Sequence, residues 1–191
     1  MISKKSFYKM LIYLAVIGVV GILFYLYVNR DMSHTAQIAS ELHCGKGQIE
    51  IFDTYELPLT CDKEPDVDPY RVVAFSTKEQ GIGIAIFEGA DGEAHLKYLR
   101  LSHDMAPVGS PISGVYTDSG TLYCDSIVPI ILLIDNPCVA RLEFLKPGHE
   151  DEKQVVHIDT TPALFVTPLR FTGNLRYSYS FYDSAGNLIT F

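Results

Sequence analysis

The sequence lacks an excess of basic residues. Its 191 residues include 15 Lys and Arg against 23 Asp and Glu, so the formal net charge is −8 at pH 7. A protein that binds duplex nucleic acid needs a basic face to neutralise phosphates, and this composition argues against that class. Apolar residues make up 48% of the chain and charged residues 20%, which excludes wholesale disorder.

Motifs that would indicate catalysis or a bound metal are also missing. The chain contains no CxxC pair, no HExxH and no GxSxG. The His103–Asp104 step and two nearby serines supply the residue types of a hydrolase triad, but such a set occurs in almost any sequence. We therefore predict no cofactor and no metal. An envelope hydrolase or metal-dependent enzyme, with His103 or His149 in its site, is the alternative class.

Met10–Val28 is a predominantly apolar run of 19 residues without a charge. A helix of that length spans about 28 Å, which is close to the hydrocarbon thickness of a bilayer. Three lysines precede the run and Arg30 follows it, so the positive-inside rule places residues 1–9 in the cytoplasm. We predict a single-pass anchor in the inner membrane at residues 10–28, a linker at 29–43 and a periplasmic or extracellular remainder.

A cleaved signal peptide is the alternative to an anchor. The uncharged run is longer than the usual h-region of about 7–15 residues. Ala36 and Ala39 could end such a peptide, but His34 and Gln37 at their −3 positions are not small. The retained anchor is therefore preferred.

The exported part is more acidic than the whole chain. After residue 30 there are 11 Lys and Arg against 23 Asp and Glu, a net charge of −12. This charge favours solubility and would attract a basic protein partner. All four cysteines also follow the anchor, as expected in an oxidising compartment. We predict disulfides among Cys44, Cys61, Cys124 and Cys138. Their connectivity stays open, and a zinc site is the alternative.

Short alternating or apolar runs separated by turn residues follow one another after residue 48. This pattern predicts an all-β ectodomain, built as a β-sandwich that is either Ig-like or made of two small packed sandwiches. A division near the Pro- and Gly-rich segment 104–111 would give one β lobe at 44–105 and another at 106–191, unless both form one continuous sandwich. No amphipathic helix is predicted beyond the anchor.

Two runs are informative about burial. Ile127–Ile134 is apolar throughout, which predicts a strand buried on both faces, with Pro129 marking its start or a bulge. Gly81-Ile82-Gly83 lacks the third glycine of a GxGxxG motif. We interpret it as part of a strand with a small face, meaning a face that carries only glycine and alanine side chains, which lets another layer approach closely.

The C-terminal segment predicts a hairpin around Asp183–Asn187. In its first strand Tyr177, Tyr179 and Phe181 share one face, and Tyr182 lies on the other. Such an aromatic strand either packs in the core or forms a protein-binding face, since Tyr and Phe are good interface anchors. It also resembles the last strand of an outer-membrane barrel, but the N-terminal anchor argues against that class.

Acidic residues alternate in the segment that follows Cys61. Its members are Asp62, Glu64, Asp66 and Asp68. We consider a solvated loop, a calcium site and an acidic docking loop, and an EF-hand is excluded because Val67 and Val73 replace the Gly and Glu that it needs.

Together these features predict a non-enzymatic protein-binding module that is held at the inner membrane. An immunity or inhibitor protein that neutralises a periplasmic toxin or enzyme is one form of this function. A structural subunit of an envelope or secretion complex is the other. The candidate binding residues are Tyr177, Tyr179, Phe181, Tyr182 and the four carboxylates of residues 62–68.

Overall fold

The computed structural model forms two compact units, Met1–Met32 and Ser33–Phe191. It describes residues 12–13, 15–23, 25, 33–57, 69–90, 93–108, 114–119, 127–145, 153–170 and 178–190.

In the first unit, residues 12–13, 15–23 and 25 are helical. Their large apolar side chains are 54–69% exposed. No helix among the described residues has the length and apolar character needed to cross a membrane. Residues 10, 11, 14, 24 and 26–28 of the predicted span lie outside the described residues, so the anchor stays a prediction.

The second unit is mostly β-structure, which confirms the predicted all-β character. Its described residues contain one α-helix, α1 (His34–Glu41), and two short 3-10 turns, Lys46–Gln48 and Ser102–Asp104. The strands are β1 (Ile49–Leu57), β2 (Tyr70–Thr77), β3 (Gly81–Glu88), β4 (His95–Leu101), β5 (Ala106–Pro107), β6 (Val115–Ser119), β7 (Ile127–Ile134), β8 (Arg141–Leu145), β9 (Gln154–His157), β10 (Ala163–Arg170), β11 (Ser178–Tyr182) and β12 (Leu188–Ile189).

These strands form three antiparallel sheets of four strands each. Sheet I has the order β1-β2-β3-β4, sheet II the order β10-β7-β6-β5, and sheet III the order β12-β11-β8-β9. The chain passes from sheet I to sheet II between residues 101 and 106, at the boundary predicted between two lobes. Ser33–Phe191 nevertheless forms one compact unit, because sheet II shares a hydrophobic core with each of the other sheets.

Strand β7 lies at the centre of this arrangement. Ile130, Leu132 and Ile134 pack with sheet III residues, while Ile131 and Leu133 pack with sheet I residues. All five side chains are buried, so the prediction of a strand covered on both faces is confirmed. The prediction that Pro129 marks the start of the strand or a bulge is wrong: Pro129 is the third residue of β7 and pairs with Pro168 of β10 without a register shift. It precedes Ile130, the first β7 residue in chain order that pairs with β6, so its missing N–H leaves the described β6 pairs intact.

Helix α1 covers the outer face of sheet I, in an interval where the local pattern predicts no helix. Ser33 caps its first turn by accepting a hydrogen bond from Ala36 N at 3.3 Å. Ile38 and Ala39 are buried in a cluster with β2 and β3 side chains, among them Phe75 and Phe87. The interval predicted as a linker thus contributes a helix to the core.

Gly83 shows why the small face of β3 matters. A Cβ on this residue would lie 2.7 Å from Arg100 O and 2.7 Å from Phe75 Cζ. These atoms belong to the neighbouring strands β4 and β2 of the same sheet, so the predicted approach of another layer at Gly83 stays a prediction. Gly81, in contrast, has open space around it. Its φ of +85° is a backbone conformation that favours glycine, so glycine is needed here for the turn into β3.

A polar contact joins sheets I and II beside their shared core. Asp118 of β6 is 4% exposed, and its carboxylate accepts a hydrogen bond from the Tyr98 hydroxyl at 2.6 Å. Arg100 Nη1 lies 3.4 Å from the same oxygen. Because a buried carboxylate needs such partners, this contact stabilises the pairing of the two layers.

Candidate protein-binding surface

Several predicted site residues lie outside the described residues: Asp62, Glu64, Asp66, Asp68, Tyr177, Cys61 and Cys124. The other two cysteines, Cys44 and Cys138, have free thiols. The partners that sequential pairing would give them are Cys61 and Cys124, so the disulfides stay a prediction without support from the described residues.

The predicted C-terminal hairpin is confirmed in β11 and β12. Phe181 is 2% exposed and belongs to the core between sheets II and III, and Tyr179 packs against the same core. The two rings are neighbours, with centroids 5.8 Å apart. Phe181 therefore takes the core position that was the alternative to a binding face, and Tyr179 lies half-buried at the edge of the same core.

Tyr182 lies on the opposite face of β11, which we call the outer face of sheet III. Alternation on β8 places Leu142 and Phe144 in the core and therefore Arg141 and Glu143 on this outer face. Two rows of paired residues cross it from strand to strand. The first row is Leu188, Tyr182, Arg141 and His157, and the second is Ser180, Glu143 and Val155.

The centre of the outer face is held by contacts around Glu143. Lys153 Nζ lies 3.1 Å from Glu143 Oε2, and Arg141 Nη2 lies 3.6 Å from Glu143 Oε1. The Arg141 guanidinium also stacks over the Tyr182 ring, 4.2 Å from its centroid. Hydrogen bonds from Lys153 and then Tyr182 favour the charged form of Glu143 and lower its pKa.

Exposed apolar side chains flank this charged centre. In the described residues of Ser33–Phe191, the large hydrophobic side chains classed as exposed are Val155, at 47%, and Leu188, at 54%. Both lie on the outer face of sheet III, on its two edge strands. Apolar exposure in this part of the structure is therefore concentrated on one face.

The turn between β11 and β12 fixes Tyr182 relative to Leu188. Asp183 Oδ1 accepts hydrogen bonds from Asn187 N at 2.8 Å and Ala185 N at 2.9 Å, and Asn187 Nδ2 donates to Asp183 Oδ2 at 2.9 Å. These bonds, led by the Asn187 side chain, lower the pKa of Asp183. Tyr182 and Leu188, the two residues of the first row on this hairpin, therefore flank a turn that is fixed by hydrogen bonds.

A second polar cluster, around Glu88 of sheet I, has its charged groups paired with each other. Tyr70 donates a hydrogen bond to Glu88 at 2.5 Å, and Lys97 forms an ion pair with the same carboxylate. The Lys97 contact is the main reason that the pKa of Glu88 is lowered. No group of three or more His, Cys, Asp or Glu among the described residues is arranged to hold a metal ion.

The described residues show no arrangement of side chains that supports the hydrolase alternative. His103 and Asp104 are exposed neighbours in a 3-10 turn, with His103 Nε2 3.5 Å from Asp104 Oδ2. The serines considered with them, Ser110 and Ser113, lie outside the described residues, as does His149.

The alternation of β11 was enough to separate Tyr182 from Tyr179 and Phe181. The register that brings Tyr182 onto one face with Val155 and Leu188 depends on long-range pairing, which no local pattern encodes. Comparison with protein-family models, curated proteins and solved structures gives no match to this chain. Its function is therefore inferred from its own residues.

Proposed function

We propose that this chain is a membrane-anchored, non-enzymatic protein-binding module that presents the outer face of sheet III to a protein partner outside the cytoplasmic membrane. The observation that carries this proposal is the position of Val155 and Leu188. These exposed hydrophobic side chains share one face with Tyr182 and Arg141.

The composition of the face suits protein recognition. Tyr and Arg are enriched at the centres of interfaces and in binding hot spots, whereas isolated aliphatic residues supply buried contact area. Here the Tyr182 ring and the Arg141 guanidinium already contact each other, and Glu143 holds Arg141 from the side. A partner would therefore immobilise few additional rotamers, which reduces the entropic cost of association.

The membrane anchor is supported by the first unit. Residues 12–13, 15–23 and 25 are helical, and their large apolar side chains are exposed on all sides, as in a helix whose surroundings are apolar. The flanking lysines orient the remainder of the chain away from the cytoplasm. The net charge of −12 after residue 30 would accelerate encounter with a basic partner and make the rate depend on salt.

The first prediction tests the binding face. Tagged full-length chain, cross-linked in intact cells and recovered under denaturing conditions, should bring down a partner that mass spectrometry identifies. Leu188→Asp should reduce the recovery of that partner about tenfold or more, because a charge replaces an apolar contact in the first row. Tyr182→Ala should act in the same direction.

Gln80→Asp is the matched control, since it places the same charge at an exposed turn of sheet I. It should leave recovery unchanged. Equal recovery with the wild-type chain and with Leu188→Asp would contradict the proposal. A single soluble enzyme as partner would indicate an inhibitor or immunity protein, whereas a set of membrane proteins would indicate a structural subunit.

A further inference from the structure

The six sheet edges differ in how they are protected. Strands β1 and β10, which end sheets I and II, lie beside each other, and β5 and β12 are only two residues long. On β4 the side chain of Gln37 occupies backbone groups at the start of the strand. Strand β9 has four residues and is the remaining edge. On its outer side, the described residues provide no neighbouring strand and no side chain that bonds to its backbone.

The backbone of β9 is suitably oriented to accept another strand. Ile158 N donates to Ala140 O at 2.9 Å, so this residue and, by alternation, Val156 and Gln154 bond towards β8. The N–H and C=O groups of Val155 and His157 then point away from sheet III. An unpaired edge of this kind is a template for strand addition.

We propose that the strand added here is β9 of a second copy of this chain, in antiparallel orientation around a two-fold axis at Val156. In this register Val155 pairs with His157 of the other copy, and both residues direct their free backbone groups towards the axis. Lys153 then lies opposite Asp159 of the other copy. The two-fold axis repeats this opposite-charge pair, so each dimer contains two of them.

Two charged residues favour this register, and they favour a second copy of the chain as the added strand. Lys153 and Asp159 lie just beyond the two ends of β9 and both are exposed. Extending the alternation of β9 by these positions places both on the outer-face side. Lys153 Nζ keeps its contact with Glu143, 3.1 Å away, while its remaining hydrogens can reach a second carboxylate. If the register shifted by two residues in one direction, Lys153 would lie opposite His157 of the other copy. If it shifted by two in the other direction, Lys153 would lie opposite Thr161 of the other copy. Either shift would lose both ion pairs.

Dimerisation through β9 would leave the other end of the outer face free. Leu188 and Tyr182 lie on β12 and β11, at the opposite side of sheet III, whereas Val155 would pack against the second copy. Sheet III would become one sheet of eight strands. The two proposals share Val155, but the partner test uses Leu188 and Tyr182, whereas the dimer test uses Lys153 and Asp159. Each proposal can therefore fail without the other.

The test, our second prediction, is the mass of the full-length chain in detergent by sedimentation velocity, from about 1 to 100 μM. The wild-type chain should dimerise. Asp159→Lys opposes Lys153 to a second lysine, and Lys153→Asp opposes two aspartates, so each variant alone should dimerise about tenfold or more weakly. A mixture of the two variants should restore the dimer, because each interface again joins opposite charges.

Recovery in the mixture shows that the variants are folded and that the two residues meet across the interface. A wild-type chain that stays monomeric at every concentration would overturn the proposal. Undiminished dimerisation of Asp159→Lys, or failure of the mixture to associate, would overturn it as well, since either result assigns association to other residues.

Discussion

Asp183 is the residue on which the order of the last turn depends. Its carboxylate accepts hydrogen bonds from the side chain and backbone of Asn187 and from the backbone of Ala185. Because these donors favour the charged form, the pKa of Asp183 is lower in the folded chain than in the unfolded chain, where it is about 3.9. Its contribution to stability is therefore complete above that pH and is lost as the pH falls through the lower folded value.

The third prediction concerns the main cause of this lowered pKa. Asn187→Ala removes the side-chain donor that contributes most, so the pKa of Asp183 should rise towards its unfolded value. The carboxyl-carbon chemical shift of Asp183, followed by NMR during an acid titration, measures this change directly. Ser184→Ala is the control at an exposed position of the same turn, and it should leave the titration midpoint unchanged. A midpoint that is the same in Asn187→Ala and in the wild-type chain would show that the side-chain bond is not the cause.

At the scale of elements, the Gln37 side chain joins helix α1 to the start of β4 by hydrogen bonds. Gln37 Nε2 donates to Ala94 O at 2.7 Å, and Leu96 N donates to Gln37 Oε1 at 2.8 Å. The amide thus makes the two hydrogen bonds that a neighbouring strand would have made at this edge. This contact protects the start of the β4 edge and, with Ile38, fixes the helix on the sheet.

The fourth prediction follows from that contact. Gln37→Ala should destabilise the fold by about 1–3 kcal/mol, because it leaves a buried carbonyl and a half-buried amide without their partner. Urea unfolding of the full-length chain measures the loss, and hydrogen exchange at the Leu96 amide should accelerate more than at amides inside β3. Gln48→Ala is the matched control, since that side chain forms exposed hydrogen bonds. Its effect should stay within about 0.5 kcal/mol. Equal losses from both substitutions would contradict the role of Gln37.

The contrast between α1 and the strands shows what local pattern can predict. An unbroken apolar run was sufficient for β7, and alternation followed by turn residues was sufficient for the C-terminal hairpin, because both signals lie in consecutive residues. Helix α1 has only eight residues, and Ile38 is the main apolar residue that it buries, so its periodicity is too short to detect. It is stabilised by tertiary contacts with sheet I, which outweigh weak local propensity.

Local pattern was also insufficient for the binding face. The aromatic alternation of β11 correctly separated Tyr182 from Tyr179 and Phe181, but it could not show which side would be covered. That depends on the packing of sheet III against sheet II, where Phe144, Phe165 and Phe181 share one core. The exposed position of Val155 likewise follows from the pairing of β9 with β8, at the edge of the sheet.

At the scale of the whole molecule, the charge distribution separates the chain into two parts. No acidic residue precedes Asp31, whereas all 23 follow from that position onwards. The basic residues before the uncharged run and the acidic excess after it favour one orientation across a bilayer. An anchored β-rich unit would then meet its partner on the outer side, where both the Leu188 end of the face and the β9 edge are accessible.

The fifth prediction tests that orientation. In spheroplasts of a bacterial host, external protease should remove a C-terminal tag from the full-length chain and spare an N-terminal tag, and both should be lost after lysis. Replacing the three lysines at positions 4, 5 and 9 by Gln, together with Asn29→Lys and Asp31→Lys, reverses the charge difference across the run. Because this difference sets the orientation, the protected tag should become the C-terminal one in a substantial fraction of chains. Loss of both tags from intact spheroplasts, or release of the wild-type chain from membranes by alkaline carbonate, would contradict a transmembrane anchor.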